Sequence, residues 1–301
     1  MAWAPHSLCS CLCPQPTAVP GAAERWDGVS LEAWPELVEA AREKLGETLE
    51  VRTAALAELR CKLESLPEAD RPYCTSDAYL LRFLRARKFR VQEALDVVKA
   101  AHKFERENPR WFSNLSGEEF RAVYASGFMR ILQGRDRLGR RVSILLPTRM
   151  PGPDLMSPDG MMRWNMWALG RMATCPYFCV LGTSIMENFE IFSFKQAMAM
   201  NSNMPPSVMK QNFHFIQKCA AYRLGAILVV NQPRFLTWMY ALVKPFMSKK
   251  MKSRVHLLGS DVSLLAQHMD PTLLPPELGG SSSESPMAWF DEQCALEAQG
   301  L

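Results

Sequence analysis

Between residues 141 and 258, short apolar runs alternate with longer stretches of helical period. The runs are Arg141–Leu146 (RVSILL), Cys179–Met186 (CVLGTSIM), Ala226–Asn231 (AILVVN) and Arg254–Leu258 (RVHLL). Each is bounded by turn or helix signals, and each reads as a strand. Helical patterns lie around and between them, at Pro158–Ala173, Phe194–Met200, Pro206–Ala221 and Phe235–Met247. Parallel neighbours need a long crossover, usually a helix, so this alternation predicts an α/β sheet that is mixed and at least partly parallel. No internal repeat is visible.

The first third has a different pattern. Residues 1–25 hold Pro5, Pro14, Pro16 and Pro20 and almost no charge, and read as a disordered leader. From Leu31 to Leu66 the leucines and alanines recur at helical spacing: Leu37, Ala41, Leu45, Leu49, Leu56, Leu59 and Leu63. Pro67 and Pro72 break that pattern. Thr75, Ser76 and Asp77 are candidate N-caps for a helix over Ala78–Lys88, and another helix runs from Val91 to Asn108. Ser116 and Glu119 have capping-box spacing and predict a short helix over Gly117–Ala125. The reading is a small helical domain over 31–110, an α/β domain over 116–280 and a tail over 281–301.

Composition narrows the function. The chain has 301 residues, is 48% apolar and 22% charged, and contains no apolar run of membrane-spanning length. Its net charge of +4 is low for a dedicated nucleic-acid binder, so charge must act through local clusters. Nine cysteines, an odd number, point to a reducing compartment rather than a disulfide framework. Cys9, Cys11 and Cys13 lack zinc-ligand spacing; an unstructured tail is the plain reading and S-acylation the alternative. There is no nucleophile elbow, phosphate loop, dinucleotide fingerprint or zinc-protease motif, and the five histidines form no triad pattern. Neither an enzyme nor a cofactor or metal site is implied.

Three features remain. Eleven of the 18 methionines fall between Met150 and Met209, where they either fill a core or line a cavity for an irregular apolar guest. The helix Phe235–Met247 places Phe235, Trp238, Met239, Leu242, Val243 and Phe246 on one face, while Leu236, Thr237, Tyr240 and Ala241 make the rest hardly polar. Such a helix is either fully buried or touches something apolar outside the protein. Directly after it, Lys244, Lys249, Lys250, Lys252 and Arg254 stand in a run without one acid. A charge run can be a solvated face. Next to an apolar anchor it is also the pairing that docks on anionic membranes, at about 1 kcal/mol per basic residue near the lipid. A second cluster comprises Arg82, Arg85, Arg87, Lys88 and Arg90.

Leu80–Phe89 (LLRFLRARKF), Gly134–Val142 (GRDRLGRRV), Glu187-Asn188-Phe189, Asn231-Gln232-Pro233, Val243–Phe246 (VKPF) and Leu274–Gly280 (LPPELGG) share their order and spacing with one family. Over Leu31–Gly280 the chain resembles the CRAL-TRIO lipid-binding proteins, in the branch of α-tocopherol transfer protein, cellular retinaldehyde-binding protein and clavesin. The resemblance implies a helical N-terminal domain, then an α/β domain enclosing a hydrophobic lipid under a mobile helical lid. It places the lid at Phe235–Met247 and a phosphoinositide cradle at Arg87, Arg223, Lys250 and Arg254. The implied protein is a cytoplasmic lipid carrier that associates reversibly with phosphoinositide membranes, endosomal ones among the candidates. The alternative is a membrane-recruited adaptor whose bound lipid licenses a protein partner. Gly225 stands where the tocopherol branch carries another basic residue, which implies a weaker or differently selective cradle. The diverged stretch Met150–Cys179 leaves the lipid unnamed.

Overall fold

The computed structural model describes residues 27–199, 205–246 and 249–300. The leader with Cys9, Cys11 and Cys13 lies outside them. The single helical stretch expected over 31–66 is two helices, α1 (Pro35–Leu45) and α2 (Leu49–Glu64). Gly46 divides them: at φ +72° it donates its N–H back to the carbonyls of Ala41 and Arg42, and so closes α1. Thr48 then opens α2 by accepting from the N–H of Val51. Ser76 caps α3 (Asp77–Ala86), and α4 (Val91–Glu107) follows. Leu59, Leu63, Leu80, Leu84 and Val98 close a core among α2, α3 and α4, while Leu49, counted in the helical pattern, is exposed. Ser116 makes no side-chain cap; Gly117–Phe120 is a 3-10 turn leading into α5 (Arg121–Ala125).

The sheet has five strands rather than four, in the order β1 (Met129–Arg135), β2 (Arg141–Leu145), β3 (Thr183–Asn188), β4 (Leu224–Val230) and β5 (Val255–Gly259). β1 is antiparallel to β2 and the rest are parallel. Sequence reading misses β1 because it is an edge strand in which Arg130, Gln133, Gly134 and Arg135 interrupt the apolar pattern. β3 starts at Thr183, not Cys179. After α6 (Pro158–Met172), the residues read as the start of that strand form α7 (Pro176–Leu181). Gly182, at φ +86°, makes the turn into β3, where a side chain would strike the backbone of Arg223. α8 (Phe194–Ala199) follows β3, and α9 (Pro206–His214) runs into a π turn, Phe215–Cys219. The crossover from β4 to β5 carries α10 (Arg234–Val243), a 3-10 turn at Lys244–Phe246 and the short α11 (Lys249–Lys252).

The two faces of the sheet differ. Val142, Ile144, Met186, Leu228 and Val230 point to one side and are sealed by Leu265, Met269, Leu274 and Leu278. Each such side chain contributes about 1.5–3 kcal/mol through burial. On the other side Leu145, Glu187, Val229 and Leu257 pair across the strands in one row, with Ile185, Ile227 and Val255 in the next. Of these seven only Val229 is fully buried. The stretch read as a tail is structured: α12 (Ala288–Ala298) packs on β1, burying Trp289 and Phe290. Phe290 stacks on Tyr124 at 4.7 Å between ring centres.

Candidate lipid and headgroup site

The four basic residues implied as a headgroup cradle come from three separate segments and meet at one place. Arg223 precedes β4 and Arg254 precedes β5, so both stand at the amino ends of neighbouring parallel strands. Lys250 comes from α11, and Arg87 from the C-cap of α3. Burial lowers the Lys250 ammonium pKa below its ordinary range, and the charges of Arg254, Arg223, Arg87 and Arg90 lower it further. Arg223 is likewise held down by burial and by Arg254; one of its terminal nitrogens donates to the Val180 carbonyl at 2.6 Å. Arg90 is paired with Glu93 at 3.0 Å, but Arg87, Arg223, Lys250 and Arg254 form no ion pair among the described residues. Glu93, paired with Arg90, also acts on Arg87 through its charge, while two other nearby acids in the sequence are otherwise placed. Asp261 caps Ser263, and Glu105 is buried elsewhere. Like charges are gathered here at an electrostatic cost, which a polyanion would relieve.

The rest of the second basic cluster divides. Arg85 is wholly buried, donating to the Glu47 carboxylate at 2.7 Å and to the carbonyls of Gly28 and Val29. Arg82, also buried, lines a cavity of about 90 Å³ between α3, α4 and α6 with Phe83, Glu105, Phe215 and Tyr222. The Glu105 carboxyl has one oxygen buried without a partner, and burial pushes its pKa up to about 7.

An open cleft of about 370 Å³ lies between the crossover and the sheet edge. Val255 and Leu257 of β5 form one wall; Thr237, Tyr240, Ala241 and Lys244 form the other, with Lys252 beside them. The segment expected to be the lid therefore turns its 237–240–241–244 face to the cleft. Phe235 instead touches Phe192 and Phe194, with ring centres 6.3 Å and 5.7 Å away, and Trp238 is 64% exposed. The side chains of Met239, Leu242, Val243 and Phe246 lie outside the described part of the structure. Central in the open row of the sheet, Glu187 has its carboxyl pKa raised to about 7 by burial alone.

Sequence reasoning did not single out a neighbouring apolar surface. Ile191 is 89% exposed at φ +60°, a backbone conformation that β-branched residues avoid, and Phe194 and Met198 are exposed after it. Phe194 joins this surface to α10 through Phe235. The signal was present in the run Phe189–Phe194, whose large apolar residues follow a strand end without helical or strand period. The methionine-rich stretch resolves mainly as core: Met156, Met161, Met162, Met166 and Met172 are buried, several of them around Trp164 and Trp167. Of these five, Met166 alone borders either cavity described above.

Residues 125–280 match the CRAL/TRIO domain and residues 40–100 the CRAL/TRIO N-terminal domain. The chain belongs to the CRAL/TRIO family. Similar proteins include clavesin-1 of Pongo abelii, 29% identical over 82% of this chain and 69% of that protein. The alpha-tocopherol transfer protein-like protein of Homo sapiens is 31% identical over 83% of this chain and 71% of that protein. The crystal structure of Sfh5 shares the fold with a TM-score of 0.50 at 13% identity, over 87% of this chain and 96% of that one. No helix among the described residues is long and apolar enough to cross a membrane.

Proposed function

We propose that this CRAL/TRIO chain is a non-enzymatic carrier. It binds a hydrophobic lipid between α10 and the sheet, and carries or presents it at phosphoinositide-bearing membranes. The observation that carries the reading is the convergence of Arg87, Arg223, Lys250 and Arg254, none of them in an ion pair among the described residues, at the end of the crossover that also roofs the cleft. Guanidinium and ammonium groups so placed match a phosphorylated inositol ring, to which each contributes charge-assisted hydrogen bonds. The exposed Ile191, Phe194, Met198 and Trp238 supply the apolar contact that a cationic patch alone lacks. The family relatives named for tocopherol transfer support the cargo half of the reading. The protein works in the cytoplasm and associates with membranes, endosomal ones included, reversibly.

Liposome flotation tests the headgroup half. Wild type is compared with Lys250→Ala/Arg254→Ala on vesicles holding a phosphoinositide, and on vesicles matched in charge with phosphatidylserine. The expected loss is confined to the phosphoinositide vesicles and is steeply sensitive to salt, narrowing as salt screens the wild-type contacts. Equal binding by both proteins, or a loss that ignores lipid identity, leaves only general anionic attraction. Transfer of a co-purified lipid between donor and acceptor vesicles tests the cargo half. A stoichiometric bound lipid without transfer favours the adaptor reading.

A further inference from the structure

The helical first third meets the α/β part at the cavity of about 90 Å³ between α3, α4 and α6. None of its lining residues borders the cleft beside α10, so the two spaces are separate. Phe112, Met166, Leu169 and Phe215 give the cavity an apolar wall. Its volume is that of about three waters, or of one small organic molecule of similar bulk.

Two ionisable side chains line this space and are engaged by nothing else. Arg82 is 6% exposed, yet its guanidinium enters no ion pair or hydrogen bond among the described residues. Arg85 on the same helix is the contrast, buried too but held by Glu47 and two carbonyls. Glu105 is 7% exposed, its carboxyl has no partner among the described residues, and one of its oxygens is sealed off. The two do not neutralise each other: burial alone shifts Glu105, with no cation acting on it, whereas Arg82 acts on the Cys179 thiol. A guanidinium does not shed its proton in a protein, so Arg82 keeps a buried charge that lacks a counter-charge. A bound anion would supply one. The apolar wall beside it favours an anion with a hydrocarbon body over an inorganic ion.

We propose that this cavity is a second ligand site, separate from the lipid cleft, for a short-chain carboxylic acid of about three to five carbons. The carboxylate lies on Arg82, whose planar fork matches it, and the hydrocarbon part lies on Phe112, Met166, Leu169 and Phe215. Glu105 forms the other polar wall. Neutral, it leaves Arg82 as the one charge facing the ligand; ionised, it places a second anion in the same cavity. The other ionisable groups on the cavity are Tyr79, Cys219 and Tyr222. Burial pushes the Cys219 thiol up to about 11 and the Tyr222 hydroxyl up to about 12. His102, on the same helix as Glu105, is turned instead to the Ala69 carbonyl at 3.2 Å. Affinity for the carboxylate should therefore fall as pH rises through about 7, where Glu105 ionises.

Calorimetric titration of the full-length protein at pH 6 tests this with three probes: butyrate, its uncharged amide and octanoate. Butyrate is expected to bind with a Kd below about 1 mM, and the amide and octanoate at least about tenfold more weakly. Arg82→Met keeps most of the bulk and removes the charge, so it should weaken butyrate about tenfold or more. Leu169→Trp keeps Arg82 but fills the cavity; it should lose butyrate as well, and it decides the matter if Arg82→Met unfolds. Glu105→Gln should bind equally at pH 6 and pH 8, where wild type weakens several-fold. Lys250→Ala/Arg254→Ala should bind butyrate as wild type does, which separates this site from the headgroup reading. No binding of butyrate at about 10 mM would mean that waters alone fill the cavity, and would overturn the site. Undiminished binding by either folded variant, by the amide or by octanoate would overturn it too, as would a loss in the Lys250→Ala/Arg254→Ala protein. Binding by wild type that ignores pH would remove Glu105 from the site.

Discussion

Glu105 and the Arg85–Glu47 pair show how a single buried charge shapes this protein. The Glu105 pKa is raised from 4.5 to about 7 by burial, so the folded chain binds an extra proton between those values. Its contribution to stability is therefore best below pH 4.5, declines as pH rises toward 7 and stays low above it. The full penalty is on the order of 3 kcal/mol. We expect Glu105→Gln to match wild type in thermal unfolding near pH 4 and to exceed it by several degrees at pH 8; a pH-independent difference would refute this. Arg85 and Glu47 are both buried and joined at 2.7 Å. Glu47→Ala leaves a buried guanidinium short of its carboxylate and should cost about 3–5 kcal/mol by urea titration, with a surface pair such as Lys103–Glu107 as the near-neutral control. Neither effect was legible in the sequence. Arg82, Arg85, Arg87, Lys88 and Arg90 read as one patch, because nothing local reveals that Arg85 turns inward to a glutamate 38 residues upstream.

At the scale of elements, α10 behaves as a two-sided helix. Its 237–240–241–244 face covers the cleft while Trp238 stands in solvent. Trp238→Asp should accordingly leave stability within about 0.5 kcal/mol of wild type. On the proposed function it should still reduce vesicle binding, because a carboxylate replaces an apolar contact at an anionic surface. Phe194→Ser should act in the same direction, and unchanged flotation by both variants would remove this surface from the membrane contact. The helical period made α10 visible, yet its apolar residues run nearly all round, so the period alone did not say which side faces the sheet. Strands were legible where both faces are apolar, as in β4. β1 escaped because its edge position tolerates charge, and the start of β3 because Pro176 and Gly182 bound a single helical turn of strand-like composition.

Across the whole molecule the helical first third and the sheet domain share a core: Leu37 and Leu45 of α1 belong to one cluster with Trp111, Phe178 and Phe290. The C-terminal helix completes it. Truncation before Ser285 should lower stability by more than about 3 kcal/mol, since Trp289 and Phe290 are both buried and large aromatic losses cost that much singly. A truncated chain with unchanged denaturant midpoint would contradict the packing. The order of elements was readable from alternation, whereas α12 was not: its apolar residues have no helical asymmetry and its partner strand lies some 160 residues earlier. The crossover from β4 to β5 has one more consequence. The stretch that roofs the cleft is continuous with the one that bears Lys250 and Arg254, so on the proposed function cargo and headgroup act on a single mechanical part. If occupancy by one changes the affinity for the other by some factor, the reverse change must be the same factor. A membrane would then be a co-ligand as much as a destination, and its lipid composition would decide where the cargo leaves.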